Sequence, residues 1–324
     1  MRLSRRAVTA AALAPALAPF MARAQGRYPD RPIRVTVPFG PGGLADVTIR
    51  LVGERLSQRL GQQVVVVNQP GGAGAIAARA ATSAPADGYT LALLTNGTAV
   101  SAATARSLGF DPLADFAPIS TLGFFEFVLA TSSAQPYRTF RDLQQAAQAS
   151  PGKLNIGTIQ PGSTQHLAAV LLRSLARIDA VIVPFRTTPD ALTALLRRDV
   201  DLVIDGFSAM GGMLREGQLR ALATTGARRS AALPDVPTMI ESGFADYDVT
   251  SWNALFAPAA VPADIVTRLN AELQVVLSDP ALGARLAELG IAARGSTPAE
   301  LGQRLRDDIA RWTRVAEQAG LEKL

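Results

Sequence analysis

The 324-residue chain has no cysteine and a single histidine, His166. The first absence excludes disulfides, a cysteine nucleophile and a thiolate metal site, and with them a lipid-bearing cysteine at a mature N-terminus. The second leaves no room for a histidine-rich metal centre. Ser163 lies three residues before His166, but no Gly-x-Ser-x-Gly elbow surrounds it. One helical turn between a hydroxyl and an imidazole does not by itself make a nucleophile–base pair. The sequence also lacks a Gly-Lys-Ser/Thr phosphate loop, a fibrous repeat, a low-complexity linker and any run of like charge. Aromatic residues make up 6%, too few for the exposed aromatic patches of an adhesion scaffold. An enzyme is therefore not expected, and neither is a cofactor or a metal.

What is present begins with a leader. Arg2, Arg5 and Arg6 precede an apolar run over 7–21, broken by Pro15 and Pro19 and followed by Ala22-Arg23-Ala24. This pattern reads as a signal peptide over residues 1–24, cleaved near Ala24. Ser4-Arg5-Arg6 suits the twin-arginine route while Val8 and Thr9 do not, so that route and the general one both stay open. No other stretch is long and apolar enough to span a bilayer. Of 32 basic residues against 27 acidic ones, four arginines lie in the leader, leaving 28 against 27. A balance near neutral gives no support for a nucleic-acid partner. The mature chain is expected to be soluble in the periplasm, monomeric and without a lipid anchor.

About 300 mature residues, with an apolar share of 48%, can bury a core large enough for two domains. Short β-branched apolar runs alternate with amphipathic stretches, which predicts an α/β fold with mainly parallel sheets. Strands are expected over 33–38, 64–67, 90–95, 127–131, 154–158, 180–184, 201–205 and 219–224. Helices are expected over 46–60, 140–149, 164–176 and 189–198. Leu143 and Ala147 mark one apolar face, and Leu167, Leu171 and Leu175 another. A strandless helical block over 263–277, 281–289 and 298–318 is expected to pack back on the first domain.

One motif occurs twice. The strand at 33–38 leads into Pro41-Gly42-Gly43-Leu44-Ala45-Asp46, and the strand at 154–158 leads into Pro161-Gly162-Ser163-Thr164-Gln165-His166. Each is strand, Pro-Gly-small residue, then helix. Glycine lets the backbone curl closely, and a helix start presents unpaired N–H groups at the positive end of its dipole. Two such loops, one per domain at the carboxyl ends of strands, can grip an anion from both sides of a cleft. Taken singly, each also reads as an ordinary tight turn with a capping residue. A third glycine pattern, Gly72-Ala73-Gly74 followed by Ala77, matches a dinucleotide loop after a strand. The next strand, however, ends in Thr95-Asn96 and not in an acid that would hold a ribose. A nucleotide-binding α/β protein is the alternative that this loop leaves open.

Taken together, these residues resemble a known family. The matching segments are Tyr28-Pro29-Asp30-Arg31-Pro32-Ile33, Phe39-Gly40-Pro41-Gly42-Gly43 with Asp46, and Asn68-Gln69-Pro70-Gly71-Gly72-Ala73-Gly74. Further matches are Asp87-Gly88-Tyr89-Thr90, Gly162-Ser163 with His166-Leu167, and Val183-Pro184-Phe185-Arg186. Arg228-Arg229-Ser230, Leu233-Pro234-Asp235-Val236-Pro237-Thr238, Ser251-Trp252-Asn253 and Phe256-Ala257-Pro258 complete the set. In this order they are similar to the Bug family of tripartite tricarboxylate transporter receptors (TctC-like). The resemblance implies a Venus-flytrap binding protein with a ligand cleft between domains, residues 25–126 with 249–324 forming the first and 127–248 the second. It also implies a small carboxylate (tricarboxylate, dicarboxylate, amino acid or aromatic acid) held by backbone amides, hydroxyls and bridging waters. The implied partners are the membrane components of a secondary transporter, with a periplasmic sensor as the alternative. Gln160 and Thr187 stand where the family often has glycine, which narrows the site toward a small ligand.

The candidate ligand residues follow from these loops and strand ends. Phe39 reads either as a surface for the ligand or as a core residue at a strand end. Gly40, Gly42, Gly43 and Ala45 would offer main-chain N–H groups, and Asp46 reads more readily as a helix-start cap. Asn96 and Thr98 follow a strand, as Thr158 and Gln160 do in the second half. Ser163 and Thr164 can cap a helix, donate to a carboxylate, or do both. The family pattern places His166 at the cleft. Arg186 is read as pairing with Asp205 in preference to a ligand, because a fully charged pocket desolvates both partners at large cost. Asp205, if unpaired, would receive a ligand amino or hydroxyl group. Trp252 is expected near the hinge, with crossover strands around 125–130 and 245–252.

Overall fold

The computed structural model describes residues 28–318; the expected leader over 1–24 lies outside them. The first half runs β1 (Ile33–Val37), α1 (Leu44–Leu60), β2 (Val64–Asn68), a 3₁₀ turn (Gly72–Gly74), α2 (Ala75–Thr82), β3 (Thr90–Thr95) and α3 (Asn96–Thr104). A long β4 (Phe116–Ser132) leads to α4 (Phe140–Ala149), β5 (Leu154–Ile159), α5 (Thr164–Ala176), β6 (Ala180–Phe185), α6 (Thr188–Arg197), β7 (Leu202–Gly206), α7 (Phe207–Arg215) and β8 (Leu219–Thr224). Then come β9 (Thr250–Pro258), α8 (Ala263–Leu277), α9 (Pro280–Ala287), the short β10 (Ala292–Ala293) and α10 (Pro298–Gln318).

Strand order explains why the motif occurs twice. β1 lies between β2 and β3, parallel to both. β5 lies likewise between β6 and β7, again parallel to both. Each arm is thus the same βαβαβ unit, whose chain leaves the central strand for one neighbour and returns on its other side. In such a unit the crevice opens at the carboxyl end of the central strand, where the two Pro-Gly loops lie. The arms are parallel, but the centre is not. β9 is antiparallel to β3 and β4, and β4 is antiparallel to β7 and β8. β4 changes partners along its length: residues up to Glu126 pair with β9, and those from Phe127 on pair with β7 and β8.

Local chemistry sets the helix ends. α4 opens with a capping box between Thr139 and Asp142, and α1 stops at Gly61, whose φ of 68° is left-handed, a conformation glycine takes without Cβ strain. The buried face of α4 holds Phe140, Leu143 and Ala147, as its periodicity predicts. The face of α5 differs from the expected leucine stripe. Leu167 is buried, but the centre is Ala168, Ala169, Leu172 and Ala176, with Leu171 and Leu175 only partly covered at the edge. Small residues let α5 approach the sheet closely, so shape outweighs leucine count there. The C-terminal helices pack against the first half: Asn270 of α8 donates to the Ile119 carbonyl, and Trp312 of α10 donates to Asn96 at 2.6 Å.

Candidate functional site

The two Pro-Gly loops have the same backbone. Gly42 and Gly162 take left-handed φ angles of 84° and 83°, so both positions favour glycine. Their helix starts differ. At α5 the Ser163 hydroxyl caps the helix, accepting from the His166 N–H at 3.1 Å. At α1 the N-cap is Gly43, with no side-chain cap, which leaves first-turn N–H groups for another acceptor. Asp46, read as a helix-start cap, is not the N-cap residue. It sits in the first turn and reaches back to the Gly42 N–H at 3.0 Å, while also holding Arg50 and the Asn68 amide. Burial opposes its charge, but these donors outweigh it and hold the carboxyl below the usual carboxylate range. Asn68 adds a bond to the Phe39 carbonyl at 3.0 Å, so the loop is braced from behind.

The loops meet the opposite arm directly. Gln160 donates its amide to the Pro38 carbonyl at 2.8 Å, and Ser101 donates to the Gly162 carbonyl at 3.0 Å. A Cβ placed on Gly40 would lie 2.7 Å from Thr187 Cγ2, and one on Gly43 would lie 3.3 Å from Thr188 Oγ1. Between the arms lies a cavity of about 30 Å³, enough for about two waters. Its wall contains Phe39, Gly40, Gly43, Ala45, Thr164, Arg186 and Thr187 among the predicted residues. It also contains Leu44, Thr95, Phe125, Ile159, Gln165, Thr188, Ser251 and Asn253, none of which the sequence reading selected. A signal for two of these was present: Ser251 and Asn253 are polar residues two apart on one strand, hence on one face.

The remaining predicted residues stand outside this wall. Asn96 is committed to structure, donating to the Thr250 carbonyl and accepting from Trp312. Thr98 completes a capping box with Thr95 at the start of α3. Thr158 donates to the Ile159 carbonyl at 3.0 Å and lies 3.4 Å from His166 Nδ1. Gln160 borders a neighbouring crevice of about 380 Å³, so of the two side chains expected to narrow the site only Thr187 lines this wall. Arg186 is exposed and belongs to both walls.

No hydrogen bond or ion pair joins Arg186 to Asp205, contrary to expectation. Asp205 is instead taken by three donors: Thr188 Oγ1 at 2.6 Å, the Gly206 N–H at 2.7 Å and Gln165 Nε2 at 3.1 Å. The reason is topological. Asp205 is the penultimate residue of β7, the neighbour of β5, so the starts of α5 and α6 supply nearer partners than Arg186. Burial pushes the Asp205 carboxyl upward, against the pull of these three donors. Trp252 donates to Asp308 of α10 at 2.6 Å and stands opposite Phe124, two pairs from where β4 changes partners. The Gly72-Ala73-Gly74 turn packs toward the second loop, where a Cβ on Gly162 would lie 3.0 Å from Ala73 Cβ.

Burial also holds the His166 imidazole below its usual value of 6.5. The folded state thus prefers the neutral ring, while the unfolded chain takes up a proton first as pH falls. This contribution is intact above about pH 6.5 and is lost progressively below it. In His166→Gln, the stability difference between about pH 7.5 and about pH 5, measured by urea unfolding, should be smaller than in the parent. An equal difference would show that His166 is not the group responsible.

Comparison with known proteins agrees with this architecture. Residues 48–321 match the family model described as the tripartite tricarboxylate transporter family receptor. The chain is 33% identical to Protein BugT of Bordetella pertussis over 297 residues, covering 90% of each chain. Among solved structures, the periplasmic binding protein BugD superposes with a TM-score of 0.88 at 28% identity, over 92% of this chain and all of that one. A Rhodopseudomonas palustris protein with adipate gives 0.87 at 34%, over 92% of this chain and 100% of that one. MatC from the same organism, with bound malate, gives 0.84 at 31%, over 89% and 99%. The fold is that of periplasmic binding proteins, and the chain belongs to the tripartite tricarboxylate transporter family of receptors.

Proposed function

We propose that the protein is a periplasmic receptor, not an enzyme, that captures a small carboxylate between two domains and delivers it to the membrane components of a secondary transporter. The proposed domains are residues 25–126 with 249–324, and 127–248; the change of β4 partners after Glu126 supports the first boundary. The observation that carries the reading is the uncapped start of α1 in a cavity wall shared with the starts of α5 and α6. Helix-start N–H groups and their dipole favour an anion, and exposed Arg186 adds a positive charge beside it. A cavity of about 30 Å³ is too small for a dicarboxylate. Binding therefore requires the arms to part and then close on the ligand, driven by contacts available only when closed. Export through the leader places the receptor where such ligands arrive.

Thermal unfolding of ligand-stripped protein against mono-, di- and tricarboxylates, amino acids and nucleotides tests this reading. A true ligand at about 100 times its Kd adds about 2.7 kcal/mol, which moves the midpoint by several degrees. Midpoint shifts confined to one or a few carboxylates or amino acids are expected. A shift with a nucleotide alone would transfer the binding role to the Gly72-Ala73-Gly74 loop and overturn the transport reading.

A further inference from the structure

The cavity wall also has a polarity that bears on which carboxylate fits. Asn253 belongs to that wall and is 1% exposed. Its Nδ2 donates to Thr48 Oγ1 at 2.9 Å and to the Leu44 carbonyl at 3.3 Å. The Thr48 hydroxyl gives its own proton to the Leu44 carbonyl at 2.6 Å, so toward Asn253 it can only accept. Both neighbours therefore require the amide nitrogen on their side. The orientation is fixed, and Oδ1 is left buried with no partner. A buried acceptor without a donor is rare because it has lost water and gained nothing.

Of two further wall residues, Thr188 is set the same way and Gln165 in part. Gln165 and Thr188 both donate to Asp205, whose carboxylate also takes the Gly206 N–H. The Thr188 proton and one of the two Gln165 Nε2 protons are thereby committed, which leaves the Thr188 lone pairs, Gln165 Oε1 and one Gln165 N–H. A ligand carboxylate brings only lone pairs and is repelled by Asn253 Oδ1 and the Thr188 oxygen; its place is the α1 start, where N–H groups are open. What Asn253 and Thr188 accept is a proton donor, beside which Gln165 can accept through Oε1 or donate its second N–H.

We propose that Asn253, together with Gln165 and Thr188, is a specificity wall that takes a hydroxyl or ammonium group of the ligand, so that the receptor selects hydroxy- or amino-substituted carboxylates over unsubstituted ones of equal length. This rests on the receptor reading above. A site built to hydrogen-bond a polar substituent rejects the analogue lacking it far more strongly than a pocket senses a methylene, because its polar groups are left unpaired.

Isothermal titration of the full protein with matched sets tests it: propionate, lactate and alanine; succinate, malate and aspartate; glutarate, 2-hydroxyglutarate and glutamate. In the set that binds, the hydroxy or amino acid is expected to bind at least about 100-fold more tightly than the plain acid. Asn253→Ala should cut that ratio at least about tenfold. Thr188→Val provides a second variant with the same expected narrowing. Plain acids binding as well as their substituted partners in the parent protein, a comparison that needs no variant, would overturn the wall and leave the receptor reading standing. Equal weakening of all acids by Asn253→Ala and by Thr188→Val would also overturn it, since that is the mark of a structural role. Absence of binding by every acid in the three sets would overturn the wall, and only silence of the whole carboxylate panel above would overturn the receptor reading with it.

Discussion

Replacing Gly40 with valine should weaken ligand binding at least about 100-fold, equivalent to about 2.7 kcal/mol, without unfolding the protein. The nearest atoms to a Cβ at this position are Thr187 Cγ2 at 2.7 Å, the Arg186 carbonyl at 3.3 Å and Thr187 Cβ at 3.4 Å, all on the facing arm. Gly40 is not among the residues with left-handed φ, so its own backbone accepts a side chain. The substitution therefore acts on the approach of the two arms and not on the arm that carries it. Gly162 would give a less clean result: its φ of 83° strains any side chain, whatever the space around it. Thr187→Gly supplies the compensating change. Thr187 caps α6 through the Asp190 N–H, and glycine at an N-cap costs only a few tenths of a kcal/mol. Calorimetric titration of Gly40→Val should show the loss, and the double variant should recover most of it. Full affinity in the single variant would mean that binding does not need these arms to meet.

The second large effect falls on stability. Trp312→Ala should cost about 3–5 kcal/mol, read as a lower urea midpoint. Trp312 is 1% exposed, and its Nε1 donates to Asn96 Oδ1 at 2.6 Å, tying α10 to the start of α3. Asn96 in turn donates to the Thr250 carbonyl at the start of β9, so one indole links the C-terminal helix to a strand beside the cavity. Trp312→Phe separates packing from hydrogen bonding. It keeps a ring in place but strips Asn96 of its donor, for an expected cost of about 1–3 kcal/mol. Equal stability of Trp312→Phe and the parent would assign the whole contribution to packing.

Some elements were missed for a physical reason. α3 has the sequence Asn-Gly-Thr-Ala-Val-Ser-Ala-Ala-Thr, and eight of its nine residues are buried. A helix covered on all sides shows no amphipathic stripe, and its opening Asn-Gly is turn chemistry. α7 carries Gly211-Gly212, which lowers helix propensity, so its existence depends on what packs around it. The Arg186–Asp205 pairing failed because opposite charges at neighbouring strand ends say nothing about competitors. The starts of α5 and α6 brought Gln165 and Thr188 closer. Asn253 shares a strand face with Ser251, but which end of its amide faces the wall could not be read, because its orientation is fixed by Thr48 and the Leu44 carbonyl, some two hundred residues earlier in the chain.

By itself the sequence determined the α/β alternation, the C-terminal helical block and the repeated Pro-Gly loop. Each of these depends on local periodicity or on a backbone angle that glycine favours. It also carried the family resemblance, which the match to the family model over residues 48–321 bears out. Only the tertiary structure decided that the two loops face each other, that one helix start is open while the other is capped, and which polar atoms in the wall are left wanting a donor. Those outcomes depend on distances between segments far apart in the chain, where hydrogen-bond partners compete in space and sequence spacing carries no record of who wins.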